Sequence, residues 1–263
     1  MWLSVIALIS IVPAVAQAFR EEARRDRVFW GTLLTAVAGP LAWILVHNAA
    51  AWQTGLAATL WVTIATSLAM FALIALIFPQ AWRLGPLLAG YMLLLGLGAV
   101  VWHDRPGEPL QATAGERGWV SIHIALGVVT YGLVTVAAVS AFAAFQQERA
   151  LKRKQPTALT RHLPSIALCE SLQLSLLQTG WLVLGVGLLT GMALQWEESG
   201  QWLPFNHKVV LTLAAFAVIG ALLAAQRWAG VRGRLAARIV LLGYLLLTLG
   251  YAGVKFVSEV LMG

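Results

Sequence analysis

Four of the five histidines in this sequence stand at or near the ends of long apolar segments, where an imidazole could serve as a ligand. His47, His103 and His207 stand at segment ends, and His123 lies four residues inside another segment. A neutral imidazole is the commonest protein ligand of metals, although a histidine at a membrane interface needs no ligand at all. For His103, in the polar string HDRPGEP, the interfacial interpretation is favoured, whereas both interpretations stay open for His47.

His123 belongs to a helix face whose composition suits a flat ligand. Trp119, His123, Gly127 and Tyr131 recur every four residues, so in a helix they form one stripe. Gly127 leaves room beside the imidazole for a planar macrocycle, which a larger side chain would block. Glycine also promotes close packing of membrane helices, so Gly127 is compatible with both uses.

A second histidine, His207, ends a short aromatic-rich segment, QWEESGQWLPFNH. This segment contains no Lys or Arg. Trp196, Trp202 and Phe205 in this segment would ordinarily anchor the chain at the membrane boundary. One interfacial histidine on each of two helices could also supply an iron with two axial imidazoles, an arrangement that haem iron accepts. One hypothesis is therefore that His123 and His207 are metal ligands, with haem as the cofactor, and the other is that both are ordinary interfacial histidines.

Cationic residues at the same level could bind the carboxylates of such a cofactor. Lys208 follows the second histidine directly, Lys255 lies inside the last apolar segment, and Arg117 precedes the stripe. A charge within a membrane is costly and usually has a partner or a function. Because Lys255 has Tyr251 one turn before it and Glu259 one turn after it, two uses stay open: pairing with Glu259 and binding a haem propionate.

The elements that must position these residues are membrane helices. Hydrophobic residues make up 60% of the 263 residues and charged residues 11%, against about 45–50% and about 25% in ordinary globular proteins. So few charges could not cover a soluble fold of this size, which predicts an all-α, polytopic membrane bundle. The net charge of +7 does not indicate nucleic-acid binding, because no basic stripe alternates with stacking aromatics.

Eight apolar segments approach the roughly 20 residues that a membrane crossing needs. The first has an A-x-A pattern near its end, but the arginines follow it instead of preceding it, so we interpret it as a retained helix and not a signal peptide. We expect one transmembrane domain over residues 1–263, in which residues 146–171 form a cytoplasmic linker. The predicted spans are residues 2–19, 29–47, 56–78, 85–102, 119–145, 172–195, 207–226 and 237–261.

Lysine and arginine positions predict the orientation of this bundle. Fourteen of the 18 basic residues fall in the loops after spans one, three, five and seven, and four lie elsewhere. Cytoplasmic loops carry the excess of Lys and Arg in membrane proteins. We therefore expect both termini outside, with His47, His103, His123 and His207 at the outer boundary and His162 inside.

Several chemistries are excluded by what the sequence lacks. With Cys169 as the single cysteine, the chain can form neither an internal disulfide nor a Cys-rich metal site. It also has no phosphate-binding loop, dinucleotide fingerprint, H-E-x-x-H motif or convincing Ser/His/Asp arrangement. We therefore expect that the protein is not an enzyme.

From residue 119 to residue 263 the sequence resembles the CcsA/ResC-type cytochrome c assembly family, in its short YpjD/HemX-like branch. Five strings occur in the same order and at similar spacing in that branch: SIHIALGVVTYGLVTVAA, RHLPSIALCESLQ, NHKVVLTLAAF, GVRGRLAARI and LGYAGVKFV. The first four spans match only in hydrophobic character.

The resemblance implies a protein that handles haem at the outer face of the bacterial cytoplasmic (inner) membrane, beside cytochrome c maturation proteins. Full family members bind haem through a tryptophan-rich outer loop and nearby histidines, and His123 matches the first of these. The loop signature, roughly W-G-x-x-W-x-W-D-P-K-E, is missing here, and its place holds only Trp196, Trp202 and the pair His207-Lys208. The implied cofactor is b-type haem, bound transiently.

Two other function classes stay open. The HemX resemblance permits a regulatory or scaffold protein that binds partners and no haem. A transporter of a small hydrophobic or anionic solute would need polar residues along a continuous path through the membrane. The polar positions within the spans gather at one face instead, which counts against transport.

Overall fold

The computed structural model describes residues 1–20, 24–49, 52–103, 117–200 and 206–261. Their secondary structure is helical, which confirms the all-α prediction. Eight helices are long and apolar enough to cross a membrane. An α-helix pairs its own backbone N–H and C=O groups, so an apolar chain can cross a bilayer in this form without unpaired polar groups. The protein is a multi-pass membrane protein.

The spans follow the predicted segments in number and order. The first four are α1 (Trp2–Ala16), α2 (Arg27–His47), α3 (Leu56–Ile77) and α4 (Gly85–Val101). The next three are α5 (Arg117–Arg153), α7 (Ile166–Ser199) and α8 (His207–Ala229), with the short α6 (Ala158–His162) between α5 and α7. The last span comprises α9 (Gly233–Thr248), a π-helical stretch (Leu249–Gly253), α10 (Val254–Phe256) and a second π-helical stretch (Val257–Leu261).

Helices α5 and α7 extend well beyond the segments predicted from hydropathy. The linker expected at 146–171 consists of the last turns of α5, the short α6 and the first turns of α7. This segment is rich in Lys, Arg, Gln, Glu and Leu, which are good helix formers even where they are too polar for a membrane. Only the region around Pro156 and Pro164 interrupts the helical structure, because proline lacks a backbone donor.

The centre of the bundle is formed by α3 and α5. Residues 130–141 of α5 are buried on every side, as expected for a helix that is apolar around its whole circumference. Helix α5 packs along α7 and also contacts α3 and α9, whereas α1 packs against α2 and α4. The start of α5 and the start of α8 therefore lie at the same end of the bundle as the end of α7.

Polar contacts join α5, α7 and α9 at the end of the bundle opposite the starts of α5 and α8. The Glu170 carboxylate on α7 accepts a hydrogen bond from the backbone N–H of Gly233, the first residue of α9, at 3.1 Å. The next residue, Arg234, lies 3.9 Å from the Glu148 carboxylate on α5. A carboxylate at a helix N-terminus satisfies a free N–H and interacts favourably with the helix dipole. These contacts fix the heights of α5, α7 and α9 relative to one another.

The orientation in the membrane remains a prediction, and cysteine labelling tests it. We expect Gln155→Cys to react with a membrane-impermeant maleimide only after permeabilisation, and Ser199→Cys to react in intact cells, since both positions are exposed. Native Cys169 should not react with the maleimide because it is fully buried. Labelling of Gln155→Cys in intact cells would show that the orientation is the reverse of the predicted one.

Candidate functional site

Helices α3, α5, α7 and α8 and the last span enclose a cavity of about 630 Å³. Apolar atoms make up most of its wall, and about half of the lining residues are aliphatic or glycine, which share the wall with polar and aromatic residues. The cavity lies at the end of the bundle that is predicted to face outward, with Gln195 and Asn206 among the residues at its rim. Its volume falls within the range of about 300–1,000 Å³ that is typical of small-molecule and cofactor sites.

One turn of α7 holds the imidazole of His123. Nδ1 lies 3.1 Å from the carbonyl oxygen of Gly187 and 3.2 Å from Oγ1 of Thr190. Because a carbonyl oxygen can only accept, Nδ1 carries the proton and donates it. The ring also packs on Gly191, where an added Cβ would lie 2.8 Å from Cε1. Gly187, Thr190 and Gly191 form what we call the imidazole cradle, which fixes both the tautomer and the position of the ring.

The cradle leaves Nε2 of His123 available to a ligand. His123 lines the cavity, and its only hydrogen bonds to described residues are made through Nδ1. Histidines that bind metals usually donate their other ring N–H to a carbonyl or carboxylate, which raises the basicity of the ligating nitrogen. His123 has this arrangement before any ligand is present.

Three of the four members of the predicted α5 stripe line the cavity: His123, Gly127 and Tyr131. A Cβ at Gly127 would meet nothing within 4 Å, so the glycine leaves open volume along the same face as the imidazole. The hydroxyl of Tyr131 lies 2.8 Å from Oγ1 of Thr248, and the buried ring lines the cavity deeper along α5.

Trp119 does not line the cavity and is 57% exposed. At 3.6 residues per turn, each step of four residues overshoots a full turn by about 40°. Three such steps separate Trp119 from Tyr131, so the two side chains point about 120° apart. The stripe is therefore too long to keep all four members on one face.

Two lysines bring positive charge to the cavity. Lys208 and Lys255 both line it, and Nζ of Lys255 lies 3.7 Å from Oε1 of Glu259. The other oxygen of Glu259 accepts the backbone N–H of Leu56, the first residue of α3, at 2.9 Å. Lys255 thus has the ion-pair partner that one interpretation expected and still faces the cavity. Lys208 forms no ion pair with a described residue, although the charges of Lys255 and Glu259 lie close enough to act on it.

The structure does not bring His207 to the cavity. His207 is the first residue of α8, its side chain is exposed, and it is not among the residues that line the cavity. Consecutive residues of an α-helix point about 100° apart. The helix orientation that directs Lys208 toward the cavity therefore directs His207 away from it. Joint ligation by His123 and His207 stays a prediction that this geometry does not support.

The remaining histidines also lie outside the cavity. The ring of His47 stacks on Trp43 with the centroids 3.9 Å apart, and Nδ1 of His103 lies 2.9 Å from a backbone carbonyl one turn earlier. His162 belongs to α6 at the opposite end of the bundle. All five histidines fall in the described ranges, so the cavity is lined by one histidine, His123.

Sequence reasoning missed the α7 side of the site. The available signal was the run GLLTG at residues 187–191, a single hydroxyl between two glycines in an apolar span. The same pattern is common where membrane helices merely pack closely, so it does not indicate a histidine partner by itself. Thr130 was also missed: it lines the cavity, is 2% exposed, and its hydroxyl has no hydrogen-bond partner among the described residues.

Residues 29–262 match the family described as Cytochrome C assembly protein. The match includes three of the first four spans, for which the sequence resemblance extended only to hydrophobic character. The chain is also similar to an Azospirillum brasilense protein described as an uncharacterized 28.8 kDa protein in the nifR3-like 5′ region. The two are 47% identical over 266 residues, which covers 99% of this chain and 97% of that protein. No solved structure matches the chain. Since the family match spans most of the sequence, the chain belongs to the cytochrome c assembly protein family.

Proposed function

We propose that this protein holds haem in the α3–α5–α7–α8 cavity during cytochrome c biogenesis. The observation that carries the proposal is the geometry of His123, whose Nδ1 is bound to α7 while Nε2 is left to a cavity of about 630 Å³. Family membership supports a role in cytochrome c biogenesis, where members act as membrane assembly or haem-handling factors. The site adds a place where haem could bind in this chain.

The donor set favours haem over a bare metal ion. A bare ion needs several protein ligands, and no group of three or more His, Cys, Asp or Glu side chains in the described ranges could hold one. Haem iron needs only axial ligands from the protein because the macrocycle supplies the others. A single imidazole beside a largely apolar cavity fits such a cofactor.

The remaining groups suit the two ends of an amphiphilic macrocycle. Lys208 and Lys255 would bind the propionates, and the open volume beside Gly127 would admit the plane of the ring. The aliphatic walls would exclude water, as in other cofactor sites. The haem would be b-type and exchangeable, since Cys169, the single cysteine, is fully buried and does not line the cavity.

When bound, haem would supply iron coordination chemistry, and the side chains of the protein would position it without making or breaking covalent bonds. We place the protein in the bacterial cytoplasmic membrane with the cavity at the outer face, beside cytochrome c maturation proteins. Charge distribution and family membership support this placement.

A haem titration of the detergent-purified protein tests the function. We expect saturable uptake of about one haem per chain, seen as a shifted Soret band. Gly127→Leu should abolish uptake, because its side chain would enter the open volume. Gly118→Leu is the matched control: it is on the same helix, an added Cβ is equally unobstructed, and Gly118 does not line the cavity. A scaffold that binds no haem would show no uptake in any variant.

A further inference from the structure

We propose that haem in this cavity has one protein axial ligand, His123, and that its other axial position is open to an exchangeable donor from outside the chain. This inference rests on the proposed function and adds the coordination of the iron. It departs from the two-histidine ligation that the sequence predicts.

The first support is the histidine count. All five histidines are described, and His123 alone lines the cavity. To reach the cavity, His207 would need the first turn of α8 to rotate by about 100°. The residues on either side of it, Asn206 and Lys208, both line the cavity, so His207 lies on the opposite side of the helix.

The second support is that other potential donors in the cavity are engaged, are unsuitably placed or, for the Lys208 ammonium group, are assigned to a propionate. The hydroxyl of Tyr131 is hydrogen-bonded to Thr248, and the ammonium group of Lys255 is paired with Glu259. Met192 lines the cavity from α7, the helix against which the imidazole packs. A second axial ligand must stand across the macrocycle from the imidazole, so a donor on the α7 wall is on the wrong side.

The third support is the rigidity of the one ligand that is present. The imidazole cradle holds His123 by two hydrogen-bond contacts and by packing on Gly191. A ring fixed in this way can hold haem while the other face exchanges its ligand. One open position would give an outside donor access to the iron while His123 still holds the haem.

The spin state of the haem-loaded protein tests the inference. We expect the reduced protein to be five-coordinate and high-spin, to bind carbon monoxide directly, and to become low-spin in a saturable titration with free imidazole. His207→Ala should show the same spectra and the same imidazole titration as the wild type. Met192→Leu and Tyr251→Phe, which alter two donors that line the cavity, should leave the bound haem five-coordinate and high-spin.

A low-spin wild-type spectrum that free imidazole does not change would overturn the inference. A variant at His207, Met192 or Tyr251 that turns such a spectrum high-spin would identify the second ligand. These outcomes leave the proposed function intact, because haem is still bound. Absence of any haem uptake would instead overturn the proposed function and this inference together.

Discussion

We expect replacement of His123 by alanine to lower the affinity of the purified protein for haem by at least about 100-fold, the upper end of the loss caused by changing a residue that hydrogen-bonds a metal ligand. The reason is that His123 alone among the histidines brings a ring nitrogen to the cavity. Its Nδ1 is already bound to the carbonyl oxygen of Gly187, so the ligand is preorganised and its loss is not replaced. Spectral titration with haem, or calorimetry in the same detergent, measures the change.

Matched variants separate this result from general damage. His162→Ala, at the opposite end of the bundle, and His207→Ala, outside the cavity, should keep the wild-type affinity. Thr190→Val should weaken binding by about 10-fold, the lower end of the loss expected when a hydrogen-bond partner of a metal ligand is removed. His123→Gly with added imidazole should recover a haem spectrum, since the free base can occupy the vacated position. Equal losses in His123→Ala and His207→Ala would favour two-histidine ligation.

We expect neutralisation of both cavity lysines, Lys208→Gln with Lys255→Gln, to lower the affinity for haem by about 100-fold or more. A hydrogen bond to a charged group contributes about 1.5–3 kcal/mol, so each lysine that meets a propionate is worth about 10-fold or more. Lys208→Gln alone should show the clearest single effect, because Lys208 has no ion-pair partner among the described residues. Lys255 is shared with Glu259, and its replacement also disturbs that ion pair.

Haem dimethyl ester provides the chemical control for the lysines. Because its propionates are neutral, its affinity should be nearly the same for the wild type and the double variant. Lys152→Gln, which alters an ion pair with Glu148 at the other end of the bundle, should leave the binding of both forms unchanged. An equal loss of haem and of its ester in the double variant would show that the lysines act on the structure and not on the carboxylates.

Hydropathy and charge were sufficient to predict the spans because they report directly on the environment of each segment. A run such as residues 56–78 has to cross the bilayer, since no other fold buries so long an apolar stretch in a chain with so few charges. The ends of α5 and α7 were predicted less well. Lysine, arginine and glutamine at 146–153 lower the hydropathy of the segment below that of a membrane span, but they do not end the helix.

The four-residue periodicity of α5 pointed to one side of the candidate site, and the α7 side was missed. Of the residues that the four-residue spacing groups on α5, His123, Gly127 and Tyr131 line the cavity and Trp119 does not, because the angular drift accumulates with distance along the helix. The placement of Lys255 depends on a second effect. The last span is π-helical over Leu249–Gly253, and these wider turns change the face on which the following residues lie.

The sequence by itself determined that this chain is a bundle of eight membrane helices with four of its five histidines near one end. Those features depend on composition and on spacing within single segments. The tertiary structure decided which of these residues meet. Adjacent positions such as His207 and Lys208 have the same depth and the same hydropathy context, and only the rotation of α8 against its neighbours separates them. The cradle formed by Gly187, Thr190 and Gly191 around His123 likewise depends on the packing of α7 against α5, because the contact joins residues more than 60 positions apart.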